Sequence, residues 1–71
     1  MTTKALLFSV DTYDRWDTLE KMNDQERYDL AVQGYEDDPD EVRILSLHDL
    51  QEYANDETID LTNWWLYIVN V

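Results

Sequence analysis

Three segments of the chain have the alternation of apolar and polar side chains that is typical of β-strands. In KALLFSV, residues 4–10, the more apolar set of alternate positions is Leu, Phe and Val, and this set is predicted to face the core. VRIL, residues 42–45, predicts a second, short strand. NWWLYIVNV, residues 63–71, is the strongest of the three because Trp, Tyr, Ile and Val all favour the extended conformation.

Between the first two strands, apolar residues recur every three to four positions, as in amphipathic helices. The spacing predicts a short helix over 13–22 and a second helix from Asp24 to about Gln33. Asn23 is expected to cap the second helix, and Glu26, three residues later, completes a capping box. Gly34, the one glycine of the chain, is expected to end this helix in a left-handed conformation.

A third helix is predicted after the second strand. Ser46 can cap it, and apolar residues fall at i, i+3, i+6 and i+7 between Leu47 and Ala54. The predicted order is therefore β-α-α-β-α-β. We expect an α+β fold with a three-stranded, mostly antiparallel sheet and the helices packed on one face. A chain of 71 residues has room for one small domain, residues 1–71.

The charge of the chain changes this picture more than any motif does. Seventeen Asp and Glu residues face five Lys and Arg, for a formal net charge of -12. Chains this acidic are often disordered, but 44% hydrophobic and 13% aromatic residues predict a folded core. The charge exceeds the magnitude of about 2–8 that solubility requires of a small domain. Such a surface repels nucleic acid and anionic membranes, so the expected partner is a basic protein.

Several classes of site are excluded or disfavoured by composition. Without cysteine, the chain has no disulfide and no thiolate metal site, and one His excludes a His-rich zinc site within one chain. The N-terminal residues lack the features of a signal peptide, and no apolar run approaches the roughly 20 residues of a membrane span. No residue pattern calls for a cofactor.

The segment EDDPDE, residues 36–41, carries five carboxylates and one proline. Its oxygens could bind calcium, but an EF-hand loop needs alternating ligands, a central glycine and a glutamate at the twelfth position, and this segment has none of that pattern. Two interpretations remain open: a solvated acidic turn between a helix and a strand, or part of a surface that binds a partner.

Catalysis is not expected from this sequence. Pairs of carboxylates could support general acid–base chemistry, but that chemistry needs a cleft that raises the pKa of one of them, and a domain this small has little room for a cleft. His48 has no triad partners nearby in the sequence and is expected to be a half-exposed surface residue. We therefore expect a binding protein that is not an enzyme.

Acidic residues recur about every three positions along the first two predicted helices. Because a helix rises about 1.5 Å per residue, acids with this spacing lie some 4.5 Å apart along one face. Duplex DNA carries one charge per roughly 1.7 Å of its axis, and several acidic rows can approach that density. The expected partner-binding surface comprises these rows and the acids of EDDPDE, namely Asp14, Asp17, Glu20, Asp24, Glu26, Asp29, Glu36, Asp37, Asp38, Asp40 and Glu41.

The aromatic C-terminal strand presents a second candidate surface. Neighbouring side chains of a strand point to opposite faces, so Trp65 and Tyr67 share one face, and Trp64, Leu66 and Ile68 share the other. If helices cover only one face, the Trp65 and Tyr67 set is the expected aromatic interface, for a partner or for a homodimer. The alternative is that a helix or loop also covers the face that carries Trp65 and Tyr67.

The chain resembles, in its overall style, small acidic proteins encoded by phages and other mobile elements. The residues that carry the resemblance are a W-x-x-L helix, an N-x-x-E-R-Y helix start and the closing strand, here Trp16, Leu19, Asn23, Glu26, Arg27, Tyr28 and the strand from Trp64. Some proteins of that class are DNA mimics that inhibit restriction or CRISPR enzymes. The resemblance implies a DNA-mimicking inhibitor in the cytoplasm of a bacterial host, and it implies no catalytic residue.

Overall fold

The computed structural model describes residues 1–13 and 16–71 and has the predicted α+β order, β-α-α-β-α-β. A short 3-10 helix, η1, was not anticipated and precedes the last strand. The elements are β1 (Thr3–Ser9), α1 (Trp16–Lys21), α2 (Asp24–Asp37), β2 (Val42–Ser46), α3 (Leu47–Asn55), η1 (Leu61–Asn63) and β3 (Trp64–Asn70).

The three strands form one antiparallel sheet in the order β2-β1-β3, so β1 is central and the other two strands are edges. Leu6 of β1 lies opposite Ile44 of β2 and Tyr67 of β3. Backbone hydrogen bonds extend the β1–β3 pairing beyond both ends of β3: Thr2 and Val71 exchange two bonds of 2.7 and 3.0 Å, and the Val10 N–H donates to the Asn63 carbonyl at 3.0 Å. The pairing therefore runs without a bulge.

The first face of the sheet is covered by α1 and α2. Its buried cluster joins Leu6 and Phe8 of β1 to Val42 and Val69 of the edge strands, and Leu19 of α1 and Ala31 of α2 complete it. Phe8 makes edge-to-face contacts with the rings of Tyr13, at 5.0 Å, and Tyr67, at 6.2 Å between centroids. Of the predicted core face of β1, Leu6 and Phe8 are confirmed, whereas Val10 lies beyond the end of the strand and outside the cluster.

The second face of the sheet is also covered, by α3. Because β2 and β3 are both antiparallel to β1, they are parallel to each other, and the connection between them has to cross the sheet. No described residue of α3 belongs to the cluster on the first face. Ala5 and Leu7, which point to the second face, are 0% exposed, and α3 contacts both β1 and β2. We conclude that α1 and α2 share the first face and that α3 crosses the second. The expected sheet and order of elements are present, but the expectation that all the helices pack on one face is wrong.

The start signals of α2 and α3 are confirmed, whereas the first helix begins at Trp16 and not at the predicted residue 13. The Asn23 side chain accepts a hydrogen bond from the Glu26 N–H at 2.8 Å, and the Glu26 carboxylate accepts one from the Asn23 N–H at 3.1 Å, which is the predicted capping box. The Ser46 hydroxyl accepts a hydrogen bond from the Asp49 N–H at 3.1 Å and caps α3.

The expected role of Gly34 is wrong. The α2 helix continues past this residue to Asp37, and no glycine has a positive φ. The Asp38 N–H closes the helix by donating to the Gly34 carbonyl at 2.8 Å. Gly34 is needed for space instead: an added Cβ would lie 2.9 Å from Cγ2 of Val42 and closer still to the hydroxyl oxygen of Tyr13.

We predict that Gly34→Ala lowers the free energy of unfolding. Alanine favours a helix by about 1 kcal/mol over glycine, but overpacking typically costs about 1–3 kcal/mol, and here the crowding groups belong to a buried strand and a packed ring. Chemical denaturation measures the change. Gln33→Ala, at the neighbouring exposed position, is the control and should be neutral or slightly stabilising.

Adding Tyr13→Phe to Gly34→Ala removes the nearest crowding atom and should restore part of the loss. A Gly34→Ala protein as stable as the Gln33→Ala control would contradict the close packing of Tyr13 on α2.

Candidate functional site

The outer face of α2 carries an acidic row. Ala31 is fully buried and marks the side of α2 that faces the sheet. At 3.6 residues per turn, Glu26, Asp29, Glu36 and Asp37 all point away from that side, and all four are exposed. Four carboxylates over about 16 Å of helix are sparser than the phosphates of one DNA strand, which carries one charge per roughly 3.4 Å of the duplex axis. The row therefore needs the acids beyond α2 to reach a comparable density.

Those additional acids gather where α2 ends and β2 begins. Asp37, Asp38 and Glu41 lie near the phenol of Tyr13: burial raises the pKa of Tyr13, and the negative charges of these three carboxylates raise it further. The Glu41 N–H donates to the Asp38 carbonyl at 3.1 Å, which folds the turn back on itself. Tyr13 thus connects the acids of the turn to the loop that follows β1.

Glu41 is ordered by hydroxyl groups. Hydrogen bonds from Ser9 and Thr12 lower the pKa of Glu41, and the Thr12 hydroxyl donates to Oε2 of Glu41 at 2.8 Å. The Ser9 N–H also donates to the Glu41 carbonyl at 2.9 Å. This carboxylate is consequently ionised and held in place at neutral pH, whereas Glu36 and Asp40 beside it are simply exposed.

At the other end of α2, two of the predicted site residues have structural roles. Asp24 is only partly exposed; its carboxylate accepts a hydrogen bond from the Asn70 N–H of β3 at 3.0 Å and lies 3.7 Å from the Arg27 guanidinium. Glu26 completes the capping box. Asp29 accepts a hydrogen bond from the Gln25 amide at 2.9 Å but stays exposed. Asp24 is therefore the least available of these acids.

The remaining predicted acids lie on or before α1. Asp17 and Glu20 are exposed, and the negative charge of Glu20 is near the Tyr67 phenol. Asp14 lies outside the described residues. The acids predicted from sequence are thus spread over α1, the outer face of α2 and the turn after it, with the greatest concentration at Glu36–Glu41.

Arg27 is used for packing more than for neutralising these acids. Its guanidinium donates to the carbonyls of Leu19, at 2.7 Å, and Glu20, at 2.9 Å, at the end of α1, where helical partners run out. It also stacks over the Tyr67 ring, 4.7 Å from the centroid. Arg27 therefore joins α1, α2 and β3.

Arg43 has a similar role on the second face. It donates to the carbonyl of Pro39 and, at 3.0 Å, to that of Val42, and it lies 5.3 Å from the centroid of the Trp64 ring. Because β1 lies between β2 and β3, this contact bridges the second face above β1. In the part of the chain that the structure describes, Arg27–Asp24 is the one ion pair between an arginine or lysine and a carboxylate.

The structure does not place Trp65 and Tyr67 on an exposed aromatic surface. Both lie on the first face and pack against its buried cluster; the Trp65 ring N–H donates to the Tyr13 carbonyl at 2.8 Å. The half-exposed side chains of β3 are Leu66, at 47%, and Ile68, at 45%, on the second face. The reason is the register with β1, which sets Trp65 opposite Phe8.

Other site classes find little support in the geometry. Among residues 1–13 and 16–71, no three acidic or histidine side chains converge on a point where a metal ion could be held. No helix of the described residues is long and apolar enough to cross a membrane. His48 is exposed and lies 3.3 Å from Glu52, one turn along α3. In comparisons with known proteins, the chain matches no family model, no curated protein and no solved structure.

Sequence reasoning overlooked the arginines and the exposed edge of β3. No sequence pattern shows that Arg27 and Arg43 serve backbone carbonyls, because both contacts depend on the tertiary fold. The edge did leave a signal: WWLYIV, residues 64–69, contains no charged residue in a chain with a net charge of -12.

We predict that Arg27→Lys lowers the free energy of unfolding by about 1.5–3 kcal/mol, because a lysine cannot donate to both carbonyls and stack on Tyr67 at once. Urea denaturation measures this loss. Lys21→Arg, on the exposed last turn of α1, is the control and should stay within about 0.5 kcal/mol. Equal stability of the Arg27→Lys and parent proteins would show that the bridge between α1 and β3 contributes nothing.

We also predict that Asp37→Asn with Asp38→Asn lowers the pKa of Tyr13 toward its usual value, because two of the charges that disfavour the phenolate are removed. Ultraviolet titration of the phenolate, with Tyr13→Phe used to assign its signal, measures the shift. Asp49→Asn with Glu52→Gln, on α3, is the matched control and should leave the signal unmoved.

The burial of Tyr13, together with the nearby carboxylates, sets a pH dependence of stability. Since the pKa of Tyr13 is raised in the folded protein, its contribution is complete below the unfolded pKa of about 10 and is lost as pH rises through the folded value. Tyr13→Phe should therefore make the fall in unfolding free energy above pH 10 shallower. An unchanged slope would show that folding does not raise the pKa of Tyr13.

Proposed function

We propose that this chain is a non-enzymatic binding protein that docks its acidic surface into the basic groove of a nucleic-acid-binding or host-defence protein, in the manner of a DNA mimic. One observation carries the proposal: the acids on the outer face of α2 and at 36–40 are exposed, while Arg27 and Arg43 are engaged with carbonyls and rings. The negative charge is thus left available to a partner.

The geometry divides the acids by availability. Glu36, Asp37, Asp38 and Asp40 are exposed at the end of α2 and in the turn that follows, and we assign them the main contacts with the partner. Asp24 is tied to β3 and contributes its charge only at a distance. A concentrated negative region next to an extended row attracts a basic groove over a Debye length of about 8 Å at physiological ionic strength.

The resemblance to small acidic phage and mobile-element proteins supports the same proposal and would place the protein in the cytoplasm of a bacterial host. The chemistry requires no metal and no cofactor, because the carboxylates themselves replace phosphates as the groups that the partner recognises.

A second candidate function is that of an adaptor, which docks or dimerises through the C-terminal strand. The observation that favours it is the half exposure of Leu66 and Ile68 on an edge strand. It uses a different surface from the acidic row, so the two functions can be tested separately.

The acidic surface is tested with purified restriction and CRISPR nucleases that bind duplex DNA in basic grooves. We expect this protein to displace a fluorescent duplex from at least one of them, more weakly as salt rises from about 50 to about 300 mM. Asp37→Asn, Asp38→Asn and Asp40→Asn together should weaken displacement about tenfold, since three contacts of about 0.5 kcal/mol each sum to the roughly 1.4 kcal/mol of a tenfold change.

The matched control neutralises three carboxylates elsewhere: Asp49→Asn, Glu52→Gln and Glu57→Gln, on α3 and just after it. It has the same net charge as the test variant and should lose less than about twofold, because its charges lie outside the proposed contact. Equal losses in the two variants would show that displacement depends on net charge alone and not on the proposed contact surface. Failure to displace DNA from any nuclease of the panel would reject the proposal.

A further inference from the structure

The outer edge of β3 has unpaired backbone groups next to apolar side chains. In the antiparallel pairing with β1, Val71 and Asn63 are bonded to Thr2 and Val10, so the odd-numbered residues of β3 direct their N–H and C=O groups toward β1. The even-numbered residues, among them Leu66 and Ile68, therefore direct these groups outward. Their side chains are also the half-exposed apolar ones of β3.

One outward backbone group on this edge already has a hydrogen-bond partner. The outward N–H of Asn70 donates to the Asp24 carboxylate at 3.0 Å. Within residues 1–13 and 16–71, no comparable hydrogen bond is made to the outward groups of Leu66 or Ile68. Edge strands of proteins are usually protected by a lysine, a proline or a bulge. The β3 strand has none of these, because its sequence is WWLYIVN and its pairing with β1 is continuous.

The charges around the edge select its partner. On the first face, Glu20 lies near Tyr67, and Asp24 lies at the Asn70 end of the strand. These two carboxylates accompany one cation, Arg27, whose guanidinium is stacked on the Tyr67 ring and bonded to the carbonyls of α1. Asp60 caps η1 directly before the strand begins. A second copy of the chain, with a net charge of -12, would bring like charges together at this edge. A segment with cationic side chains on the first face and apolar side chains on the second has the complementary pattern.

We propose that the outer edge of β3 binds an extended partner segment in which apolar residues alternate with Lys or Arg, as an added antiparallel strand. The apolar side chains contact Leu66 and Ile68 on the second face. The basic side chains lie on the first face, where they approach Glu20 and are attracted at longer range by Asp24. Backbone hydrogen bonds supply the attachment, as in other strand additions. The proposal rests on the adaptor function and names its partner. Because the site lies apart from the outer face of α2, it does not depend on DNA mimicry.

The register of an added strand fixes which backbone groups of the partner are used. In an antiparallel pair, residues that exchange hydrogen bonds have their side chains on the same face. Partner residues bonded to Leu66 and Ile68 therefore have side chains on the second face, which makes them the apolar residues. Their N–H groups point at β3, and those of the basic residues point away.

The test uses the acetylated and amidated peptide Lys-Val-Lys-Val-Lys-Val-Lys, with binding measured by titration calorimetry. We expect it to bind, and backbone N-methylation of its three valines to weaken binding at least about tenfold (roughly 1.4 kcal/mol). The same peptide with backbone N-methylation at three of its lysines has equal charge and should bind almost as well. Equal loss for both methylated peptides, or loss for the lysine-methylated one alone, would overturn the proposed pairing.

On the protein, Ile68→Lys should weaken peptide binding at least about tenfold, since it adds a like charge and removes apolar contact at the edge. Leu66→Thr keeps a strand-forming residue and should weaken peptide binding to a lesser degree. It tests the same site if Ile68→Lys does not fold. Gln33→Lys, on the exposed side of α2, has the same change of charge as Ile68→Lys and is the control. Equal losses in Ile68→Lys and Gln33→Lys would overturn the site.

Two further measurements distinguish the edge of β3 from the acidic turn and from a dimer interface. The Asp37→Asn, Asp38→Asn and Asp40→Asn protein should bind the peptide within about threefold of the parent, whatever its effect on DNA displacement; a greater loss would assign the peptide to the acidic turn. Sedimentation velocity over a range of concentrations should show a monomer. If the protein is a dimer and Ile68→Lys dissociates it, the edge of β3 is a dimer interface and the proposal of a basic partner is overturned.

Discussion

The burial of β1 on both of its faces is the constraint on which the rest of the structure depends. Four consecutive residues, Ala5–Phe8, are 0% exposed, so the central strand needs cover on each side of the sheet. A chain of 71 residues can meet this demand only by dividing its helices, with α1 and α2 on one face and α3 on the other. The edge strands then receive the thinnest cover, and the helices present their polar sides to solvent.

This arrangement explains how the few cations are used. Arg27 and Arg43 each bind backbone carbonyls and lie over an aromatic ring of β3, one on each face of the sheet. A planar guanidinium can bond carbonyls and stack on a ring at the same time. An exposed ion pair with a carboxylate would contribute only about 0–1 kcal/mol. The engagement of both arginines with the fold leaves Glu36, Asp37, Asp38 and Asp40 exposed at the surface. The same placement of the two arginines thus stabilises the fold and leaves the surface negative.

The sequence by itself determined the local structure and the character of the surface. The capping box of Asn23 and Glu26, the Ser46 cap and the alternation in the strands depend on groups within a few residues of one another, so they could be predicted without a fold. The order of elements followed from them. The net charge required an acidic surface, because so many carboxylates cannot be buried.

The tertiary structure alone decided which side chains are available. Gly34 lies inside α2, where the absence of a side chain leaves room for Tyr13, a residue far from it in sequence. Trp65 and Tyr67 are covered while Leu66 and Ile68 are half exposed, because the register with β1 and the crossing of α3 determine what each face of β3 meets. Such outcomes depend on contacts between distant segments, and periodicity within one segment contains no information about them.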